Sequence, residues 1–532
     1  MLSPAGLAAR DAVLRCWVRE RGIAVPAAGT LATDEIEAEV EYRSATGHHR
    51  FSSVRIGQSE VDAATLAAAL VGSSAGAADL TGRVADSARR IDRYVSTRRG
   101  TPGAGFLEAE QALLVGHQLH PAAKSRDGLT DVEDDRYAPE LRGRFRLHWF
   151  AVSPTVLRAG GTGTAELLTR LSEVDGAGPV VPAHPWQAAD LVHRPEFRPL
   201  LESGAVRPLG ESGPEWYPTS SLRTVYRPDA PVMLKLSLGL RITNSKRENT
   251  LTELARGIEV CRLLDSGIDS AVRTAYPAFR IVRDPGYLAV VLPDSVPSHL
   301  DVSVREVPNG LDAARCLAGL VAPQPGIGPS LLVSTVDAIA ARSGRPVTEV
   351  AAEWCRRYVV KVLGPMILLY ASSGIGLEAH QQNTLVVLDD DGWPATGWYR
   401  DNQGYYLAES GLPGVLRRTG AGSSTLALAP DSIVDDRLTY YLLLNQALAP
   451  VAALGAVAAE PILLGAVRSG LAELVAAGHD TPRGLVRRWL DAETLPCKAN
   501  LATRLAGIDE VLAPVDNQSV YIRVPNPLRE TA

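Results

Sequence analysis

Lys235 and Arg247 lie in the stretch KLSLGLRITNSKREN, residues 235–249, at a spacing suited to gripping an anion. Val232, Leu234, Leu236, Leu238 and Leu240 alternate with Lys235, Ser237, Gly239 and Arg241. A strand would therefore set apolar and polar side chains on opposite faces. Thr250 and Glu253 form a capping box ahead of Leu254, Ile258 and Cys261, which predicts a helix starting there. Arg247 stands just before that helix, where unpaired backbone donors already favour negative charge. A lysine on a strand followed by an arginine at a helix start is what a polyphosphate site requires.

The preceding segment PTSSLRTV, residues 218–225, runs into the turn sequence Arg227-Pro228-Asp229-Ala230-Pro231 and then into this strand. A hairpin centred near Asp229 sets Arg223 opposite Lys235 and Ser221 opposite Ser237. Two like charges opposed across strands destabilise a sheet unless an anion sits between them, which makes the pair a clamp. The alternative is a shifted register that leaves both cations in solvent.

A second constellation is EAHQQN, residues 378–383, entering a strand that continues to Leu388. Asp389-Asp390-Asp391-Gly392 signals a turn, and the return strand reaches YRDNQG, residues 399–404. With the turn near Gly392, Asn383 and Asp401 face each other. An amide oxygen beside a carboxylate suits Mg²⁺ shared with phosphates, the combination that protein kinases use. The alternative is a polar hairpin base with Asp401 as a turn residue. A third motif, GHQLHPAAKSRDG at 116–128, gathers His117, His120, Lys124 and Arg126 into a cationic loop fit for carboxylates or phosphates. Pro121 and the lack of a nearby acidic or Cys partner argue against metal ligation by its histidines. His184-Pro185-Trp186-Gln187 reads equally as a site or as a Trp-anchored turn, and Lys498 alone reads as surface.

The elements that must position these residues are partly legible. Residues 1–100 look mostly helical, with one strand from Glu37 to Tyr42. Gly160 to Thr164 reads as a loop and 215–245 as β-rich. Helices are predicted at 250–265 and 347–370, a hairpin at 383–401, and helices again beyond about residue 437. The 532 residues suffice for two or three domains. A net charge of -6 argues against a general nucleic-acid or membrane-surface binder. No apolar run reaches the roughly 18 residues that suggest a bilayer span, and the N-terminus lacks a signal-peptide layout, so the cytoplasm is the default. The five cysteines are scattered, without disulfide or zinc spacing. Of 54 basic residues only Lys124, Lys235, Lys246, Lys361 and Lys498 are lysine. Such rare lysines are enriched where a compact charge is preferred to a planar fork. The alternative is chance survival, which is the reading for Lys361 in its apolar helical pattern.

GHQLHPAAKSRDG, YAPEL with LHWFAV, HPWQ, PTSSLRTV, KLSLGLRITNSKREN, EAHQQN, YRDNQG and CKANLATRL occur in order across about three quarters of the chain. Together they resemble the NRPS-independent siderophore synthetases, the aerobactin-synthetase-like IucA/IucC family. The resemblance implies an α+β cupped hand: a helical thumb (residues 1–150), β-rich fingers (151–330) and a palm with a helical C-terminal part (331–532). It implies an ATP-dependent ligase that adenylates a carboxylate of citrate or a related acid, releasing pyrophosphate, before an amine or hydroxyl captures the acyl group. Carried over by motif, Lys235, Arg247 and His380 are catalytic. ATP falls to His117, Lys124, Ser221, Arg223, Lys235, Thr243, Arg247, His380, Gln382 and Asn383. The acid's carboxylates fall to His120, Arg247 and Lys498, and Mg²⁺ to Asn383, Asp401 and Glu378. A cytoplasmic enzyme, homodimeric as family members often are, with small-molecule partners and neither nucleic acid nor membrane, completes the implication. Gln118 departs from the family's usual Gly-His-Pro, and the chain is short for a member. Arg241 to Asn249 leans towards members acting on a half-amidated acid or a succinylated amine. The rival readings are a kinase-like small-molecule phosphotransferase, which lacks a Gly-rich loop before Lys235 and an Asp base before Asn383, and a catalytically silent partner subunit.

Overall fold

The computed structural model describes residues 2–100, 103–176, 178–243, 245–420, 425–508 and 518–529; Asn244, inside the motif at 235–249, lies outside them. At the N-terminal end the helices Pro4–Glu20, Ala63–Val71 and Ala77–Thr97 share an apolar core with a four-stranded sheet. The expected strand Glu37–Tyr42 is its second strand. Its neighbours Gly29–Ala32 and Arg50–Ile56 replace expected helix. Register shifts at Glu39, Val40 and Tyr42 interrupt the pairing with Arg50–Ile56, whereas Gly29–Ala32 pairs without a shift.

The centre of the molecule is an eight-stranded antiparallel sheet. Its order is Leu157–Gly160, Gly286–Val291, Pro297–Glu306, Val232–Leu236, Thr224–Tyr226, Val206–Pro218, Phe145–Val152 and Val180–Ala183. Strand Phe145–Val152 crosses residue 150 and shares a core that runs from Leu129 to Val304. The stretch expected as one strand from Val232 to Leu240 is two. The chain leaves the large sheet at Ser237, and Leu238–Ile242 pairs instead with Ser245–Arg247 and Arg126–Asp127. All five residues Val232–Leu236 are buried, so the polar face of the strand points into the protein and not into solvent.

The helix Leu251–Asp265 starts where its sequence requires. Thr250 accepts from the backbone of Glu253, and the Glu253 side chain returns the bond. A four-stranded sheet holds the hairpin Thr384–Leu388 and Pro394–Tyr399. The third core is largely helical and extends from Val260 to Leu528. Wide-turned segments at Val359–Leu363, just ahead of Pro365, and at Thr439–Ala447 join its helices. Strands Thr494–Lys498 and Tyr521–Pro525 pair within the C-terminal region expected to be helical. The architecture is α+β.

Candidate functional site

Lys235 sits on an interior strand, opposite Thr224 on one side and Ser303 on the other, and is only 3% exposed. Its Nζ lies 2.5 Å from Asp401 Oδ1 and donates to Gln403 Oε1. Burial pushes the Lys235 ammonium down to about 8, against the pull of Asp401 and with the push of Arg223 and Arg305. Burial also opposes the Asp401 charge, but Lys235 and Arg305 outweigh it and hold that carboxyl far below the usual range. Asp401 has φ 85°, a left-handed conformation that turns its side chain back towards the lysine strand.

Arg223 approaches the same point. Its Nη1 donates to the Arg247 carbonyl at 2.9 Å and to Asn249 Oδ1 at 2.8 Å, and its Nη2 to Gln403 Oε1 at 3.4 Å. Leu222, at φ 67°, makes the turn that leads into it. The register differs from expectation by one residue. Thr224, not Arg223, pairs with Lys235, and the Leu236 N–H donates to the Arg223 carbonyl. The two cations are not paired across the strands but still repel, and both donate to Gln403 Oε1, which lies between them and Asn249. Arg247 Nη2 donates to the Ile242 carbonyl at 3.3 Å and to Thr243 Oγ1 at 3.2 Å, at a turn where Thr243 has φ 57°. Ser221 Oγ accepts from the Thr224 N–H at 3.1 Å. The bidentate pair of Arg305 with Asp284, at 2.6 and 2.8 Å, adds a cation 3.7 Å from Asp401.

The second hairpin is also displaced by one residue. The Arg400 N–H donates to the Asn383 carbonyl, so Asn383 faces Arg400 and not Asp401. A register shift between Val387 and Leu388 absorbs the extra residue that the turn estimate missed. Asn383 Nδ2 donates to the Glu378 carbonyl at 3.2 Å and lies 3.3 Å from His380 Nε2. Glu378 abuts Gly404, where a Cβ would come within 2.8 Å of the glutamate Cβ and 3.0 Å of Oε2. Among the described residues no three His, Cys, Asp or Glu groups converge as a metal site. Asp401, Glu378 and Asn383 carry oxygen donors, the type that Mg²⁺ takes alongside phosphate oxygens, although Asp401 is committed to Lys235.

His380 Nδ1 accepts from the Gln382 N–H at 3.2 Å, and burial pushes its ring down to about 4, so it is neutral at pH 7. Gln382 Nε2 reaches Ser220 Oγ at 3.3 Å, and a buried Arg400–Glu110 pair braces both segments. A neighbouring cavity is lined by Arg19, Glu20, His117, Tyr440, Asn445 and Lys498, among others. His117 Nε2 lies 2.7 Å from the amide of Asn445, whose Oδ1 accepts from the Gln381 N–H at 2.9 Å. Asn445 thus ties the second and third motifs together. Burial pushes His117 down to about 3, with His120, Arg19, His380 and Lys498 adding to the effect. His120 is buried, and its Nδ1 accepts from the Ala122 N–H at 3.1 Å.

Lys124 is elsewhere. Its ammonium is buried against Glu140, which also takes Arg126 at 2.6 Å, while Arg126 reaches Asp134 at 2.8 Å. Burial opposes the Glu140 charge, yet Arg126 and Lys124 bring that carboxyl down to about 2. The loop read as cationic is thus internally neutralised, and Lys124 and Arg126 do not face the clamp. His184 caps the helix Pro185–Leu191 by accepting from the Trp186 N–H and packs on Tyr137 and Phe145, so HPWQ forms a helix start and not a Trp-anchored turn. Gln403, Asn249, Arg305 and Asn445 escaped the sequence reading. Gln403 and Asn249 stand inside quoted motifs, whereas Arg305 and Asn445 carry no local signal.

The antiparallel sheet thus brings Lys235 and Arg223 together beside Asp401, with His380 and Asn383 on the neighbouring hairpin. Residues 105–322 match the IucA / IucC family, and residues 352–512 match the family described as ferric iron reductase FhuF-like transporter. The rhizobactin siderophore biosynthesis protein RhbC of Rhizobium meliloti (strain 1021) is 36% identical, over 92% of this chain and 90% of the relative. The spermidine-citrate ligase of Bacillus anthracis is 33% identical, over 93% and 88%. The structure of ATP-bound aerobactin synthetase IucA from a hypervirulent pathotype of Klebsiella pneumoniae aligns with TM-score 0.86 at 26% identity, over 100% of both chains. The chain belongs to the IucA / IucC family of NRPS-independent siderophore synthetases.

Proposed function

We propose that the protein is an ATP-dependent ligase of siderophore-type biosynthesis. It adenylates one carboxylate of citrate, a related di- or tricarboxylic acid or its half-amide, and condenses it with an amine or hydroxyl. The observation that carries this reading is the meeting of Lys235 and Arg223 on Gln403 Oε1 beside Asp401, where Arg223 also donates to the Arg247 carbonyl. The names of the spermidine-citrate ligase and of the ATP-bound neighbour support the substrates.

A carboxylate oxygen attacks the α-phosphorus of ATP, the bond to the departing pyrophosphate breaks, and an acyl-adenylate results. The acceptor nitrogen or oxygen then attacks the acyl carbon and expels AMP, losing its proton. Each reactant of the first step is an anion, so catalysis is positioning together with cationic stabilisation of developing charge. Lys235, Arg223 and Arg247, with Ser221 and Thr243 beside them, hold the phosphates. His380, neutral and backed by Asn383, lines the nucleotide side with Gln382. Lys498, His120 and Arg247 take the acid's carboxylates, and His117 shares the cavity of Lys498. Mg²⁺, held by Asp401, Glu378 and Asn383, would neutralise phosphate charge. The Asp401 carboxylate is the counter-ion of Lys235, so one side chain links the phosphate-binding ammonium to the proposed Mg²⁺ site.

The thumb, fingers and palm at 1–150, 151–330 and 331–532, a homodimeric state and a cytoplasmic setting belong to the same proposal. Among the described residues no helix is long and apolar enough to cross a membrane. The deciding experiment is product analysis. With ATP, Mg²⁺ and an array of acids, AMP and pyrophosphate are expected, and hydroxylamine should trap a hydroxamate. ADP as the sole nucleotide product refutes the ligase and favours the phosphotransferase.

A further inference from the structure

Asp301 lies on the strand Pro297–Glu306, is buried, and takes no part in the chemistry proposed above. Its carboxylate accepts from Ser237 Oγ at 2.9 Å and from Asn249 Nδ2 at 2.7 Å. The Asn249 N–H in turn donates to Ser237 Oγ at 2.7 Å. With its NH₂ committed to Asp301, Asn249 must present its amide oxygen on the other side. That oxygen accepts from Arg223 Nη1 at 2.8 Å and from Gln403 Nε2 at 3.2 Å. Gln403 is oriented in the same sense, its NH₂ towards Asn249 and its oxygen towards Lys235 and Arg223. The result is a directed chain from a carboxylate, through two amides, to an ammonium and a guanidinium. Reversing the Asn249 amide would set NH₂ against NH₂ at Gln403 and against the guanidinium of Arg223. An amide can be reversed at little steric cost, so only its partners fix its sense. Ser237 and Asn249 both favour ionised Asp301 against burial, which pushes that carboxyl up to about 7.

We propose that Asp301 is a positioning residue for nucleotide binding: through Asn249 it fixes which face of two successive amides meets the phosphate-binding cations Arg223 and Lys235. This rests on the reading of those cations as the ATP clamp. The chain explains why a serine stands at position 237, where the strand leaves the sheet, and why Asn249 immediately precedes the capping residue Thr250. Loss of Asp301 leaves Arg223 and Lys235 in place as charges but frees the group that aims them.

The test is equilibrium binding of ATP with Mg²⁺ by calorimetry, independent of turnover, on wild type, Asp301→Ala, Asn249→Ala and the double variant, with thermal unfolding alongside. Each single change is expected to weaken ATP about 10-fold, and the double change no more than either one, because both remove the same oriented acceptor. Asp301→Asn keeps an acceptor for the Asn249 amide and should stay within about 3-fold of wild type. Losses that multiply in the double variant, or an Asp301→Ala affinity equal to wild type, overturn the proposal. Where Asp301→Ala fails to fold, Asp301→Asn decides: a 10-fold loss with normal folding would show that charge and not amide orientation matters. Wild type that binds no ATP would instead refute the functional reading itself.

Discussion

Replacement of Lys235 by methionine keeps the aliphatic stem in its buried slot and removes only the ammonium. Burial takes Lys235 from an ordinary 10.5 to about 8. At about 1.36 kcal/mol per pH unit, keeping it charged in the fold costs about 3 kcal/mol. The folded value lies below the unfolded one, so that cost applies in full below pH 8 and fades as pH rises towards 10.5. Lys235→Met removes it. That figure already includes the attraction of Asp401, which on loss of the ammonium keeps Arg305 at 3.7 Å. Loss of the pair is thus part of that balance, and any net loss of stability should stay within about 2 kcal/mol. The transition state has no such compensation, and loss of one preorganised charge costs about 10²–10³ in rate. Turnover by pyrophosphate release, measured beside thermal unfolding, should therefore show activity collapsing while the fold survives. Activity within about 3-fold of wild type would refute the clamp. Unfolding by more than about 5 kcal/mol would make Lys235 a structural residue.

Asp401→Asn should raise the Mg²⁺ concentration needed for half-maximal activity; an unchanged Mg²⁺ dependence would show that the assigned carboxylate is wrong. Lys498→Ala should raise KM for the acid about 10-fold while ATP binding, followed by calorimetry, holds, because Lys498 lines the His117 cavity and not the clamp. Lys124→Met should lower the melting temperature and leave KM for ATP within about 2-fold, since its ammonium serves Glu140. Glu140 itself is depressed from 4.5 to about 2, so its stabilisation is present above pH 4.5 and lost as pH falls towards 2; Glu140→Gln should flatten stability over that window in acid-unfolding curves.

Local patterns were readable wherever the chain satisfies itself. The Thr250–Glu253 box set a helix start, alternation marked the strands around Lys235, and the acidic turn at 389–392 marked a hairpin. Register was not readable, because one residue absorbed in a turn or bulge moves every partner, as at Arg223 and Asn383. Charge neutralisation was not readable either. Lys124 meets Glu140 from 16 positions away, and nothing in the loop sequence distinguishes it from a ligand-facing lysine. Partners from remote segments, such as Asn445 on His117 and Arg305 beside Asp401, are products of the tertiary fold. The strand pair ending at Lys498 joins segments separated by more than twenty residues, beyond the reach of any local signal.

In the proposed reaction a carboxylate oxygen of the acid bonds to the α-phosphorus of ATP. An acid whose carboxyl oxygens carry the heavy isotope of oxygen tests it directly, with the nucleotide products analysed by mass spectrometry after capture by an amine. One heavy oxygen in AMP, with unlabelled pyrophosphate, is the predicted result. Label in inorganic phosphate accompanied by ADP, or AMP without label, would contradict it.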